Sequence, residues 1–230
     1  FNFADGRIKS YPLRAQRYVR CVRCNPDYGR NRFTDNQDGT ITDQATGLMW
    51  QKSDSGQRLD WPGALRYAET LTLAGHDDWR LPDVKELESI IDYDRAPDAT
   101  DPQKQGPAIA PIFELTTIES WFWTSTTHIE TQGAYYVAFG QATSMLRREG
   151  RQINAHGAGA VRSDPKIGDP GRWPDGLGPQ KDEIRIQNYA RCVRGGEVER
   201  VTTTPPPDQK AQVETSERVS RFIKRLDRDG

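Results

Sequence analysis

The hexapeptide YVRCVR at residues 18–23 recurs almost unchanged as YARCVR at residues 189–194. In the first copy, aromatic and basic residues alternate with valine around a cysteine, a period-2 pattern that predicts a half-buried β-strand with basic side chains on one side. A strand that recurs at this distance indicates that a whole domain is repeated. We therefore expect residues 1–24 to be the last strands of an upstream copy of a domain, and residues 25–198 to be a complete copy.

The composition allows one domain of ordinary size and argues against two classes of partner. The 230 residues include 32 Lys and Arg against 33 Asp and Glu, a net charge of −1, which disfavours a general nucleic-acid or anionic-membrane binder. Basic residues are in excess over residues 1–32, which is typical either of a solvated strand face or of a surface for polyanions. No stretch approaches the ~20 apolar residues of a membrane span. Without an initiator Met or a signal-peptide pattern, we expect the chain to be part of a longer protein.

Three cysteines, Cys21, Cys24 and Cys192, limit the metal and redox chemistry. Cys21 and Cys24 form a lone CxxC, whereas a zinc site needs a second pair or suitably spaced histidines, and a c-type haem needs a histidine after the second cysteine. A structural disulfide is the better interpretation, because terminal strands often pair with each other. We expect Cys192 to bridge to Cys24 or to Cys21, which would place the domain in an oxidising compartment.

Turn signals and aromatic residues predict the strands. The dipeptide DG at residues 38–39 predicts a hairpin turn, and Gly47 predicts a second turn before an apolar strand at residues 48–50. The segments SWFWTST and AYYVAF are typical of strands. Trp121 and Trp123 alternate on one face, where core packing is favoured over a platform for stacking sugars.

Two helices are predicted from caps and periodicity. Asp60 predicts the N-cap of the first helix, which we expect to end at Gly75. Asp83 and Glu86 have the spacing of a capping box at the start of the second. Between the helices, the segment DWRLP at residues 78–82 is expected to be structural, with its arginine bound to loop carbonyls or a carboxylate.

Residues 154–183 form a long segment rich in Gly, Pro and Asp, and a loop of this length in a compact domain is often functional. Its acidic side chains suit calcium or sugar hydroxyls, and its arginines and tryptophan suit anionic or stacked glycans. The alternative is a loop that merely packs over a sheet. The candidate ligand-binding residues are Arg162, Asp164, Asp169, Arg172, Trp173 and Asp175.

The C-terminal part of the chain has a different character. Residues 199–211 contain TTTPPPDQ and predict a Pro-rich linker. Residues 212–230 predict an amphipathic helix that leads into a truncated EF-hand-like loop, with Asp227 and Asp229 at the first and third ligand positions. The alternative is a plain terminal helix with a charged end. Calcium is therefore a candidate ligand, and no other cofactor is indicated.

Four motifs occur in the order of the Lcl C-terminal domain family, named for the Legionella collagen-like adhesin. They are RFTDNQDGTITDQATGLMWQK, LTLAGHDDWRLPDVKELESIIDY, IFELTTIESWFWTST and YARCVRGG. The resemblance implies an α+β, C-type-lectin-like domain with two helices packed on small antiparallel sheets and long irregular loops, related to the formylglycine-generating sulfatase-modifying fold. In many members the first helix carries a cysteine that can bridge to the RCVR cysteine. This chain has Ala68 at the equivalent position, which favours Cys24 or Cys21 as the partner.

Catalysis has little support in the sequence. The sulfatase-modifying relatives depend on reactive cysteines in the C-terminal half, where this chain has only Cys192, and no spacing suggests a nucleophile with its base. We expect a non-catalytic module that is secreted, periplasmic or at the cell surface, and that binds a glycan or another surface polymer. The namesake adhesin binds sulfated glycans, so polyanions are the first class to test. The alternative is a structural subunit that packs against partner proteins.

Overall fold

The structure is a computed structural model, and it describes residues 30–129, 132–148 and 151–196, with the single positions 14, 16, 18, 19, 21 and 23. The chain divides into two units, Phe1–Gly196 and Glu197–Gly230. The second unit lies outside the described residues, as do the linker and helix predicted within it and the EF-hand-like positions Asp227 and Asp229.

The first copy of the repeated hexapeptide is not part of a sheet at the positions that the structure describes. Tyr18, Val19, Cys21 and Arg23 are exposed and belong to no strand, and Val19 is 85% exposed. The predicted half-buried strand is wrong for these residues, because no described strand pairs with them. The assignment of residues 1–24 to an upstream copy of the domain stays a prediction.

Within the described residues the chain forms nine strands and two α-helices. In chain order they are β1 (Phe33–Asp35), β2 (Thr40–Asp43), β3 (Leu48–Gln51), α1 (Trp61–Thr70), α2 (Val84–Ser89), β4 (Trp121–His128), β5 (Gly133–Ala138), β6 (Thr143–Arg148), β7 (Arg151–Asn154), β8 (Ala160–Asp164) and β9 (Val193–Arg194). The strands form three antiparallel sheets with the orders β1-β2-β3-β9, β4-β5-β8 and β6-β7. The predicted α+β class is confirmed.

The turns of the first sheet form where the sequence predicts them. Gly39 and Gly47 have φ angles of +89° and +72°, a left-handed conformation that glycine adopts without steric cost. Asp38 stabilises the first turn, because its Oδ1 accepts a hydrogen bond from the backbone N–H of Thr40 at 3.0 Å.

Both helices begin at their predicted caps. Asp60 Oδ1 accepts a hydrogen bond from the backbone N–H of Gly63 at 2.7 Å, and Asp83 forms the predicted capping box with Glu86. The predicted end of the first helix at Gly75 is wrong. The helix ends at Thr70, because the chain then turns into a short β-bridge between residues 73 and 76.

The sheet β4-β5-β8 is buried on both faces. Side chains alternate across a strand, so Phe122, Val137 and Val161 pack into one core cluster with the first sheet and α2. Trp121 and Trp123 point to the other face and share a second cluster with α1. The prediction that these two tryptophans belong to the core is confirmed.

The DWRLP segment connects the second helix to the C-terminal end of the domain. The guanidinium of Arg80 forms two hydrogen bonds of 2.6 Å with the carboxylate of Glu86 and donates to the carbonyl of Gly195 at 3.2 Å. Trp79 and Leu81 on either side of it are buried. The predicted structural role of this segment is therefore confirmed.

Arg191, two residues before β9, is fully buried. Its guanidinium donates to the backbone carbonyls of Gln51 at 2.7 Å, Ser53 at 3.3 Å and Glu114 at 2.6 Å. It also lies over the ring of Phe122, 5.5 Å from the centroid. Burial lowers the pKa of Arg191 to about 10, so the side chain is still a cation at neutral pH. The side chain of Arg191 thus connects the end of β3, the loop that contains Glu114 and the segment that leads into β9.

We expect Arg191→Lys to lower the free energy of unfolding by about 2–4 kcal/mol, because an ammonium lacks the planar fork and leaves buried carbonyls unpaired. Chemical denaturation measures the loss. The matched control is Arg58→Lys at an exposed position, which should change stability by less than about 0.5 kcal/mol. Equal effects of the two substitutions would contradict this role of Arg191.

Cys192 is a free, buried thiol in the structure, so its predicted bridge to Cys21 or Cys24 is not formed. Cys21 is also free and is exposed, and Cys24 lies outside the described residues. The helix α1 contributes alanines, Ala64 and Ala68, to the cluster that surrounds Cys192, so no thiol from this helix is available to it. Burial raises the pKa of the Cys192 thiol to about 12, which keeps it protonated and unreactive at neutral pH.

A thiol reagent applied without reductant should modify Cys21 in the native protein and Cys192 only after unfolding. Peptide mass spectrometry of the labelled protein distinguishes the two positions. A Cys192 that stays unmodified in denaturant until a reductant is added would contradict the free thiol and support a bridge.

Candidate functional site

The structure separates the six predicted ligand-binding residues into two groups. Arg162 and Asp164 belong to β8 and are only 4% and 1% exposed. The prediction that all six lie in one loop is therefore wrong, because β8 interrupts the segment 154–183. The other four lie on residues 165–180, which we call the loop arm: Asp169, Arg172, Trp173 and Asp175.

Strand alternation explains why Arg162 and Asp164 are buried. Both lie on the same face of β8 as the buried Ala160, since side chains two residues apart share a face. In the register with β5, Arg162 is opposite Tyr136 and Asp164 is opposite Ala134. This is the face that packs beneath α1. Two ionisable side chains therefore project into the core rather than toward a ligand in solvent.

Asp182 pairs with these buried groups from the far end of the loop. It belongs to residues 181–188, which we call the return segment. Its carboxylate accepts a hydrogen bond from Arg162 Nη2 and lies 2.7 Å from Nε2 of the buried His156. Burial alone would raise the pKa of Asp182, but the hydrogen bonds from His156 and Arg162 outweigh burial and lower it. Asp182 is thus an ionised carboxylate held by two nitrogen donors.

Asp164 makes a second connection between β8 and the return segment. Its Oδ2 accepts hydrogen bonds from the backbone N–H groups of Arg185 at 3.2 Å and Ile186 at 3.1 Å, and from the amide of Asn188 at 3.1 Å. We call the group of Asp164, Asn188, Arg162, Asp182 and His156 the clamp. It joins the strand that precedes the loop arm to the segment that follows it.

Arg185 adds an aromatic contact to the return segment. Its guanidinium lies 3.6 Å from the ring centroid of Trp121, and Trp121 stacks on Tyr136 with 4.5 Å between centroids and an interplanar angle of 2°. Arg185 also donates to the carbonyl of Glu119 at 2.8 Å. A cation over an aromatic face stabilises such a contact further when it is partly desolvated.

The first residues of the loop arm are fixed against α1 and β4. Lys166 Nζ lies 2.7 Å from Thr127 Oγ1 and 4.0 Å from the ring centroid of Trp61. The carbonyl of Lys166 accepts a hydrogen bond from the backbone N–H of Trp61 at 3.1 Å. Both ends of the loop arm are therefore held by the body of the domain.

The middle of the loop arm presents polar and aromatic groups to solvent. Asp169 caps a single 3-10 turn, Pro170–Arg172, by accepting the N–H of Gly171 at 2.8 Å. The Arg172 guanidinium lies 5.8 Å from the ring centroid of the partly exposed Trp173. Charges on the arm balance, since Lys166 and Arg172 are matched by two aspartates. The arrangement places one indole ring beside one guanidinium.

The described residues contain no group of three or more His, Cys, Asp or Glu side chains placed to hold a metal ion. Asp164, Asp169 and Asp175 therefore do not converge into the calcium site that the sequence suggests.

Among the residues that the structure describes, no helix has both the length and the apolar character needed to cross a membrane.

The profile of one protein family, described as the Lcl C-terminal domain, matches residues 39–162, more than half of the chain. The chain belongs to this family. Lcl C-terminal domains are associated with cell-surface adhesins, which suggests an adhesin-like surface module. The match ends within β8, and the loop arm follows it in the sequence. No curated protein and no solved structure gave a match.

The sequence did not point to Asp182, Arg185 and Asn188 as partners of the predicted site. Arg162 and Asp182 are 20 residues apart, and nothing local predicts which of many acidic residues returns to β8. The sequence did contain one signal for β8. In AVRSD at residues 160–164, the charged side chains are two residues apart, which is the period of a strand.

We expect Asp182→Asn to lower the free energy of unfolding by about 1–3 kcal/mol at neutral pH, since Arg162 and His156 lose a charged acceptor. Because the pKa of Asp182 is lower in the folded than in the unfolded chain, its stabilisation is complete above about pH 4 and is lost as the pH falls through the folded pKa. The difference in denaturation between wild type and variant should therefore shrink in acid. Asp169→Asn, at an exposed carboxylate on the loop arm, is the matched control. A difference for Asp182→Asn that does not change with pH would contradict the ion pair.

Proposed function

We propose that the chain is a non-catalytic recognition module that binds a carbohydrate polymer through the loop arm. The observation that carries the proposal is the pairing of Trp173 with Arg172 on a segment whose two ends are held by the clamp and by Lys166. A binding group on a pre-ordered segment loses less conformational entropy when a ligand binds.

The chemistry of the loop arm suits sugars. An indole ring stacks on the apolar face of a pyranose, while a guanidinium donates in a planar fork to carboxylate or sulfate groups. The exposed carboxylates of Asp169 and Asp175 can accept hydrogen bonds from sugar hydroxyls. The balanced charge of the arm favours a polymer that offers hydroxyls as well as anionic groups. Sulfated glycans are the first class to test, because the adhesin after which the family is named binds them.

A non-catalytic role is supported by the state of the groups that catalysis would use. The Cys192 thiol is buried and protonated, and the side chain of His156 is buried. We also propose a C-type-lectin-like arrangement for the domain, and a secreted, periplasmic or cell-surface location. The family's association with cell-surface adhesins supports the location, and the two helices beside small antiparallel sheets are compatible with the proposed arrangement.

Binding to a panel of glycans, with and without calcium, tests the proposal. We expect saturable binding to at least one glycan and a loss of about tenfold in affinity for Trp173→Ala, which corresponds to about 1.4 kcal/mol. Trp173→Phe should keep most of the affinity because it keeps a stacking ring. Arg66→Ala, at an exposed position on α1, is the control outside the loop arm.

Two other outcomes would contradict the proposal. Salt-sensitive binding that is unaffected by Trp173→Ala would point to the basic residues of segment 1–32 instead. The absence of binding to the whole panel would favour the alternative, a subunit that assembles with partner proteins. That alternative has its own support in Ile129 and Ile167, which are 87% and 63% exposed and offer apolar surface for a partner to cover.

A further inference from the structure

The hydrogen bonds of Asp164 are unevenly distributed between its two carboxyl oxygens. Oδ2 accepts three hydrogen bonds, from the backbone N–H groups of Arg185 and Ile186 and from Asn188 Nδ2. Oδ1 is buried and has no hydrogen-bond partner, and the same is true of Asn188 Oδ1. Buried polar atoms without partners are rare in folded proteins, because each costs about 1–3 kcal/mol.

These two oxygens belong to groups that already share one hydrogen bond. A carboxylic acid and a primary amide can form a cyclic pair in which the amide N–H donates to one acid oxygen and the acid O–H donates to the amide oxygen. The first of these bonds is present, from Asn188 Nδ2 to Asp164 Oδ2 at 3.1 Å. The atoms that the second bond would join are the two without partners. An ionised carboxylate cannot form that bond, since it only accepts.

We propose that in mildly acidic solution Asp164 carries a proton on Oδ1 and donates it to Asn188 Oδ1, which closes a cyclic acid–amide pair between β8 and the return segment. The pair satisfies both unpartnered oxygens without a further group. It also leaves Oδ2 free to accept the two backbone N–H groups that precede Asn188. The inference does not depend on what the loop arm binds.

The surroundings of Asp164 favour the neutral form. Burial is the largest effect and raises the pKa of Asp164 to about 6, although the three hydrogen bonds to Oδ2 and the charge of Arg185 oppose it. The other ionisable groups near this region are Arg162 on β8, Tyr136 on β5 and Asp182 on the return segment. Arg162 and Asp182 are engaged with each other, and the cation that acts on Asp164 is Arg185, which also pairs with Glu183.

A proton on Asp164 makes the contribution of this side chain to the stability of the domain depend on pH. Because the pKa of Asp164 is higher in the folded chain than the ordinary value of about 3.8, its contribution to stability is complete below about pH 4. It is lost as the pH rises through about 6. The pH dependence has the opposite sign to that of Asp182, which contributes only when it is ionised.

The competing arrangement is an ionised Asp164 linked through solvent to Arg162, whose Nε and Nη1 are also buried without partners. The variant Asp164→Asn distinguishes the acid–amide pair from this arrangement. Asparagine can donate to Asn188 Oδ1 as a protonated acid does, and it is neutral at every pH. We expect this variant to unfold at a denaturant concentration at least as high as wild type at neutral pH, and to remove the loss of stability between about pH 4 and 6. Asp164→Leu, which can neither donate nor accept, should unfold at lower denaturant at every pH.

A direct titration keeps the test independent of the variants. The carbon-13 chemical shift of Asp164 Cγ in the wild-type protein should change with a midpoint well above the ordinary value for aspartate, near the pKa of about 6. A midpoint at or below the ordinary value would overturn the inference. So would a loss of stability at neutral pH in Asp164→Asn as large as that in Asp164→Leu, because an ionised carboxylate would then be required.

Discussion

The hydrogen bonds from the buried guanidinium of Arg191 to backbone carbonyls are the interaction on which the rest of the domain depends. At the end of β3, the backbone carbonyls of residues 51–53 lie within hydrogen-bond distance of Arg191, and buried backbone groups are rarely left unpaired. Arg191 supplies the donors and reaches Glu114 as well. A segment from the C-terminal end of the domain thereby closes a loop near its beginning. The first and last parts of the domain are thereby joined, and the two core clusters pack on the two faces of the sheet β4-β5-β8.

The clamp likewise uses buried polar groups to join distant segments, here the two segments that flank the loop arm. It contains two carboxyl groups in contrasting environments. Asp182 is surrounded by nitrogen donors from Arg162 and His156 and is ionised. Asp164 accepts hydrogen bonds from backbone N–H groups and the amide of Asn188, but burial outweighs them and raises the pKa of its carboxyl group to about 6. An exposed arm with Arg172 and Trp173 is thereby held at both ends, which is the arrangement that binding loops on rigid scaffolds share.

Local features of this fold were predictable from the sequence, and features that depend on distant pairing were not. The turns at Gly39 and Gly47 and the caps at Asp60 and Asp83 depend on neighbouring residues, so residue type was sufficient to predict them. The strand β8 was hidden inside a segment with the composition of a loop, and the hairpin of β6 and β7 carries no strong turn signal. The burial of Arg162 and Asp164, and the free thiol of Cys192, depend on which segments pack together, which composition does not reveal.

We propose that the loop arm is the binding element and that the clamp holds it in place. The most direct measurement is an amide chemical-shift titration of the isotope-labelled protein with a soluble sulfated oligosaccharide and with its unsulfated counterpart. We expect the shifts to concentrate on residues 165–180, and the amides of Arg185 and Ile186, which donate to Asp164 in the clamp, to keep their positions. Shifts confined to residues 1–32, or no shifts with either sugar, would contradict this proposal.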